Sequence, residues 1–144
     1  MAQHPIVGTW RLVGYWSEYS DQPRIHPLGT DARGYILYTA DGFMSGTMQR
    51  ARPRPFAIAD RLQGTADEKV AAFDDYVTYC GRWRADGGDL IHDIELSLLP
   101  NWIGQSQRRF AQWHNPDRVD LVGTWDLGGG RRRSTLVEWE RAKP

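Results

Sequence analysis

Apolar and polar positions alternate along this chain in short runs, and turn residues separate the runs at near-regular spacing. That is the pattern of strands with one buried face in a meander. Asp41-Gly42 divides Gly34 to Tyr38 from Phe43 to Gln49, and Asp86-Gly87-Gly88-Asp89 divides Tyr79 to Ala85 from Leu90 to Leu98. Both read as hairpins. Asn115-Pro116-Asp117 breaks Gln105 to Trp113 from Arg118 to Trp125, and Gly128-Gly129-Gly130 precedes a last strand, Arg132 to Trp139. With Thr9 to Tyr19 in front, the pattern predicts a mainly β chain of eight antiparallel strands. Eight is the number that closes into an up-and-down barrel filled by side chains or one small ligand.

One segment leaves the β rhythm. Thr65-Ala66-Asp67-Glu68 has the form of a capping box, and Val70, Phe73 and Val77 follow at helical spacing. This predicts a helix from about Ala66 to Thr78, inserted between the third and fourth strands. The stretch Arg50 to Phe56, with Pro53 and Pro55, lacks strand periodicity and predicts an extended crossing over the barrel mouth, where a lid can control access.

Because neighbouring strand residues face opposite sides of a sheet, the alternation assigns an interior. Val119, Leu121, Gly123 and Trp125 form one apolar set, and Thr135, Val137 and Trp139 another. Tyr79 and Trp83 lie opposite Arg82 and Arg84, and Met44 and Met48 join them. Leu90, His92, Ile94, Leu96 and Leu98 lie opposite Asp93, Glu95 and Ser97, which makes His92 an interior histidine. In the strand from Gln105, Gln107 and Arg109 share a face with Ala111 and Trp113.

Composition narrows the function classes. The 144 residues are 40% hydrophobic with seven tryptophans, the length of one domain, 1–144, with apolar bulk for one core. Eighteen basic residues balance eighteen acidic ones, which removes the positive field that nonspecific nucleic-acid or anionic-membrane binding requires. The opening Met-Ala-Gln-His-Pro-Ile-Val-Gly has no basic segment followed by an apolar run, and no stretch has the length of a membrane span. The expected setting is therefore cytoplasmic, with no nucleic acid and no membrane, as a monomer or homodimer. The single cysteine, Cys80, reads as buried and inert. The histidines His4, His26, His92 and His114 are scattered without His-x-His or His-Glu-x-x-His spacing, so no metal site and no cofactor is expected. Gly128-Gly129-Gly130 lacks the context of a phosphate loop, and the arginines that follow it read as a solvated turn.

Gly8-Thr9-Trp10 opening the first strand and Trp139-Glu140-Arg141 closing the last resemble the lipocalin arrangement of a tryptophan packed on an arginine across the barrel base. More specific are His26-Pro27-Leu28-Gly29, Arg33-Gly34-Tyr35-Ile36-Leu37-Tyr38-Thr39 with Asp41-Gly42-Phe43-Met44-Ser45, and Ser97-Leu98-Leu99-Pro100-Asn101-Trp102-Ile103-Gly104. Together they resemble the bacterial lipocalin-like domain family of small stand-alone barrels, from about Ile6 to Arg141. The resemblance implies a cavity-bearing barrel, and it carries no activity or catalytic set with it. Unlike the secreted lipocalins, the sequence reads without a signal segment or a cysteine pair, so extracellular transport is not expected.

Two functions fit an interior rich in aromatic residues with few polar anchors. The first is binding of a small hydrophobic, aromatic or polyketide-like molecule, with Tyr38, Met44, Met48, Tyr79, Trp83, Asn101, Trp102, Trp125 and Trp139 as contacts. The second is a cofactor-independent cyclase, isomerase or dehydratase acting on such a molecule. There His92 would be the general base or acid, and Arg109 and Gln107 would stabilise an enolate-like oxygen. An inward Arg109 demands an acceptor, either a protein carboxylate or carbonyl or an oxygen of the ligand. Each assignment has a plainer counterpart. Arg109 could instead face outward against Glu95, and His92 could be a satisfied core residue. Met44 and Met48 could be core filler, Asn101 and Trp102 could seal a rim rather than gate it, and Trp10 with Arg141 would close the floor.

Overall fold

A computed structural model describes residues 3–144. Eight strands, β1 (Gly8–Tyr19), β2 (Arg33–Tyr38), β3 (Phe43–Gln49), β4 (Tyr76–Asp86), β5 (Asp89–Ser97), β6 (Ser106–Asn115), β7 (Arg118–Asp126) and β8 (Arg132–Arg141), run antiparallel in sequence order. β8 pairs back onto β1, so the sheet is a closed barrel. Closure gives each of the eight strands a ladder partner on both sides. One helix, α1 (Ala66–Asp74), stands between β3 and β4.

The capping box forms as the sequence predicts: Thr65 Oγ1 accepts from the Glu68 N–H, and Glu68 Oε1 accepts from the Thr65 N–H at 2.9 Å. The helix nevertheless ends four residues before Thr78. Ladder pairing claims the chain from Tyr76, which lies opposite Gln49, and Val77 opposite Met48. The apolar spacing that extended the helix to Val77 therefore joins a helical phenylalanine to a strand valine. Val70 is exposed, and no residue of α1 is buried.

The alternation holds until a bulge shifts it. In β5, Ile94 lies opposite Gly81 and Leu96 opposite Cys80, so Glu95 is an extra residue. The shift turns Leu96 outward, 66% exposed, against the inward position its spacing predicts. In β1, Val13 is the extra residue between Leu12 and Gly14, so Trp10 and Leu12 are followed inward by Tyr15 and Ser17. Gly81 suits the β4–β5 contact because a Cβ there would stand 2.1 Å from the Asp93 carbonyl oxygen. Cys80 is half-buried rather than buried.

The barrel has one sealed end. Trp10 is fully buried, its Nε1 donates to the Ile6 carbonyl at 2.8 Å, and the Arg141 guanidinium lies 4.3 Å from its ring. Arg141 also donates to the Pro5, Val7 and Pro116 carbonyls and to Asp117. Ile6, Leu28, Tyr38, Met44, Leu90, Val119 and Trp139 pack in the same core. Among the described residues no helix is long and apolar enough to cross a membrane.

Candidate functional site

Above that floor the barrel is hollow. A cavity of about 280 Å³ runs up to the end that α1 overhangs. Its wall is mostly apolar and aromatic, with Met48, Leu121, Val137 and Trp139 below and Trp102 and Trp125 toward the mouth. Trp102 stacks on Trp125 with ring centroids 6.4 Å apart and meets Tyr79 edge-on at 5.7 Å. A second, more open hollow of about 680 Å³ lies beneath the Gln49–Tyr76 connection, and Phe73, Tyr76 and Leu98 line both spaces. A single layer of side chains thus separates them.

One polar cluster interrupts this wall. Antiparallel pairing of β5 with β6 sets His92 opposite Gln107 and Leu90 opposite Arg109. His92 is 1% exposed, and both its ring nitrogens are bonded: Nε2 to Tyr38 Oη at 2.7 Å and Nδ1 to Tyr79 Oη at 2.8 Å. Arg109, 8% exposed, donates from Nη2 to Tyr79 Oη at 3.1 Å and to Gln107 Oε1 at 2.6 Å, and from Nη1 to the Arg108 carbonyl. Gln107 in turn donates to Gln105 Oε1. Burial, reinforced by the Arg109 charge, holds His92 well below the ordinary imidazole range, so the ring is neutral. Burial, then the neighbouring Tyr79, pushes the Tyr38 hydroxyl well above the usual phenol range, against a smaller downward pull from Arg109.

Arg109 faces inward. Glu95, its candidate outward partner, sits instead 3.6 Å from Arg82. The guanidinium meets neutral oxygens, and Trp125 lies under it at 5.1 Å. Arg133 covers the same ring at 4.6 Å and also lines the cavity.

Of the residues singled out in the sequence, His92, Arg109, Met48, Tyr79, Trp102, Trp125 and Trp139 line the cavity. The others stand away from it. Gln107 sits behind Arg109 and holds it, and Tyr38 sits behind His92. Met44 is in the packed floor, and Trp83 meets Tyr38 edge-on there, its Nε1 bonded to the Thr39 carbonyl. Asn101 is exposed on a short 3₁₀ turn, Pro100–Trp102. Sequence reasoning passed over Tyr15 and Arg133, which also line the wall. The first strand carries no face assignment from its pattern, and the bulge at Val13 breaks its alternation before Tyr15, whereas Arg133 was available by counting back two from Thr135. Among the described residues no three His, Cys, Asp or Glu side chains gather as a metal cage would require.

A family model described as "Lipocalin-like domain" matches residues 7–142. The 4'-hydroxy-3'-methoxypropiophenone carrier protein ppsC of Aspergillus oryzae is 36% identical over 56 residues, covering 33% of this chain and 50% of that protein. The match thus spans about half the length of that curated relative. Among solved structures, a redesigned β-barrel aligns over 96% of this chain and 93% of its own at 12% identity and a TM-score of 0.46. Lobster apocrustacyanin A1 aligns over 97% of this chain and 62% of its own, at 11% identity and the same TM-score.

Proposed function

From the premise that this chain belongs to the lipocalin-like domain family, we propose that it binds one small aromatic or polyketide-like molecule, without covalent attachment, inside its barrel. The observation that carries this reading is the 280 Å³ hollow, walled by aromatic and aliphatic side chains and broken by one cluster of hydrogen-bonding groups. Pockets of that make-up are the ordinary form of small-molecule sites. The volume equals about nine waters at roughly 30 Å³ each, room for one substituted ring rather than a large lipid. The name of the Aspergillus relative, a carrier of an aryl ketone, agrees in kind.

Native mass spectrometry of the freshly isolated protein, followed by tryptophan-emission titration with substituted phenols and aryl ketones, tests the proposal. Trp102 and Trp125 report at the mouth, and Trp125→Ala should weaken binding. If no panel member changes the emission and no small molecule travels with the protein, the proposal fails.

A second reading, isomerisation, cyclisation or dehydration of the bound molecule, draws on the Tyr38–His92–Tyr79 chain that ends at the cavity. Both nitrogens of His92 are engaged, so any proton exchanged with a ligand would pass through Tyr79. Turnover that His92→Ala abolishes while sparing affinity would establish this second reading. Return of every ligand unchanged would dismiss it.

A further inference from the structure

Following the protons through the polar cluster assigns a charge to the ligand. Tyr38 is fully buried, and among the described residues its hydroxyl has one hydrogen-bond partner, Nε2 of His92. Were Nε2 protonated and donating, the Tyr38 proton would be stranded in the core without an acceptor, which is costly. Tyr38 therefore donates, Nε2 accepts, and the single proton of the neutral ring sits on Nδ1. Nδ1–H then donates to Tyr79 Oη, which also accepts from Arg109 Nη2. Both lone pairs of Tyr79 are now used. Its own O–H has no acceptor among the described residues, and Tyr79 lines the cavity.

The charge count points the same way. Three of the five N–H groups of Arg109 are used, all on neutral oxygens, which leaves Nε–H and one Nη1–H. Arg133 adds a second cation at the mouth. The other titratable groups on the wall are Tyr15 on β1, Tyr76 on β4, the neutral His92 on β5 and Asp74, exposed on α1 at the rim. Among the described residues Asp74 is the one carboxylate on the wall, and none lies deeper to balance Arg109. A cation held among neutral acceptors in a mostly apolar cavity favours a negative partner strongly.

We infer that the cavity takes its ligand as an anion, the ionised oxygen of a small aromatic phenol or carboxylic acid seated between the Tyr79 O–H and the Arg109 guanidinium. This rests on the binding function proposed above and adds the chemical class to it. Tyr79 becomes the specificity-determining donor, and Tyr38, His92 and Gln107 are positioning residues that aim it and hold Arg109.

The test uses 4-nitrophenol, 4-nitrobenzoate and nitrobenzene, three probes of similar size. They are titrated into the full chain in buffer below the pKa of the phenol, with tryptophan emission and visible absorption read together. The coloured nitrophenolate band should grow as protein is added, or 4-nitrobenzoate should bind at least tenfold more tightly than nitrobenzene; the first result names a phenolate and the second a carboxylate. Tyr79→Phe and Arg109→Met should each weaken the anionic probe by roughly tenfold or more and leave nitrobenzene within about twofold. Tyr79→Phe removes only a hydroxyl and serves as the decisive variant if Arg109→Met disturbs folding. Arg84→Gln, exposed on the outer face of β4 and paired there with Asp93, serves as the unchanged control. Quenching by nitrobenzene equal to that of the charged probes, with no nitrophenolate band, overturns the anion inference and leaves the binding function standing. If none of the three probes binds, the anion inference falls; the binding function falls with it when the phenol and aryl-ketone panel is silent as well and no small molecule travels with the protein.

Discussion

His92 is almost fully buried beside the Arg109 charge, and that burial governs how it answers to pH. A histidine buried neutral has its folded pKa below the unfolded value of 6.5. As pH falls through that value the unfolded chain takes up a proton that the folded chain refuses, so stability is lost toward acid and the loss continues until the folded pKa is reached. The slope is about 1.4 kcal/mol per pH unit for one proton. His4 is lowered by burial as well and adds to the same limb. Thermal midpoints between about pH 7.5 and 5 should fall in the native chain and fall less steeply in His92→Gln, whose amide can still meet both phenols. Equal slopes would show that His92 does not carry the effect. Tyr38→Phe takes away the donor to Nε2 and leaves a buried acceptor unpaired, so it should cost about 1–3 kcal/mol at neutral pH by denaturant titration. At this scale the alternation in β5 and β6 placed His92, Gln107 and Arg109 inside. It could not show that Tyr79 sits between His92 and Arg109, because that contact depends on distances across three strands.

Elements obey the sequence pattern wherever pairing and periodicity agree, and depart from it at bulges and at the lid. Glu95 and Val13 each insert one residue, and each reverses the faces beyond it. A period of two carries no signal for such a step, so the spacing of Leu96 predicts an inward position that the bulge reverses, and counting inward by twos from Trp10 and Leu12 misses Tyr15. Helix α1 shows the other limit: its cap was legible in Thr65 and Glu68, but its end is set by the ladder that Gln49 and Tyr76 begin. The helix buries no residue, so its contribution lies in position rather than in core packing. The connection it belongs to is closed at its root, where Arg50 donates to Asp75 at 2.8 Å. Phe73 projects from it between the inner cavity and the outer hollow. If this ring gates the mouth, Phe73→Ala should raise both association and dissociation rates severalfold in stopped-flow tryptophan quenching. Unfolding free energy should change by less than about 1 kcal/mol, since the side chain is 44% exposed. Unchanged rates would place the entrance elsewhere.

Across the whole molecule the two barrel ends have different duties, and Arg141 separates them. Its guanidinium ties the last strand to two stretches far apart in sequence: the approach to β1 and its opening, through the Pro5 and Val7 carbonyls and the fully buried ring of Trp10, and the β6–β7 turn, through Pro116 and Asp117. These bonds close the seam between the first and last strands, where a barrel assembled in sequence order makes its longest-range contacts. Arg141→Met keeps much of the apolar stem and removes the donors, and it should cost about 2–4 kcal/mol, from charged hydrogen bonds and the cation–π contact together. Because the cavity opens at the opposite end, affinity for the 4-nitrophenol probe should remain within about twofold once the variant is folded, with the denaturant slope unchanged. A loss of affinity matching the loss of stability would mean that floor and pocket are one cooperative unit. Loss of stability alone would show that the closed end preserves the barrel while the open end is free to vary with the ligand it holds.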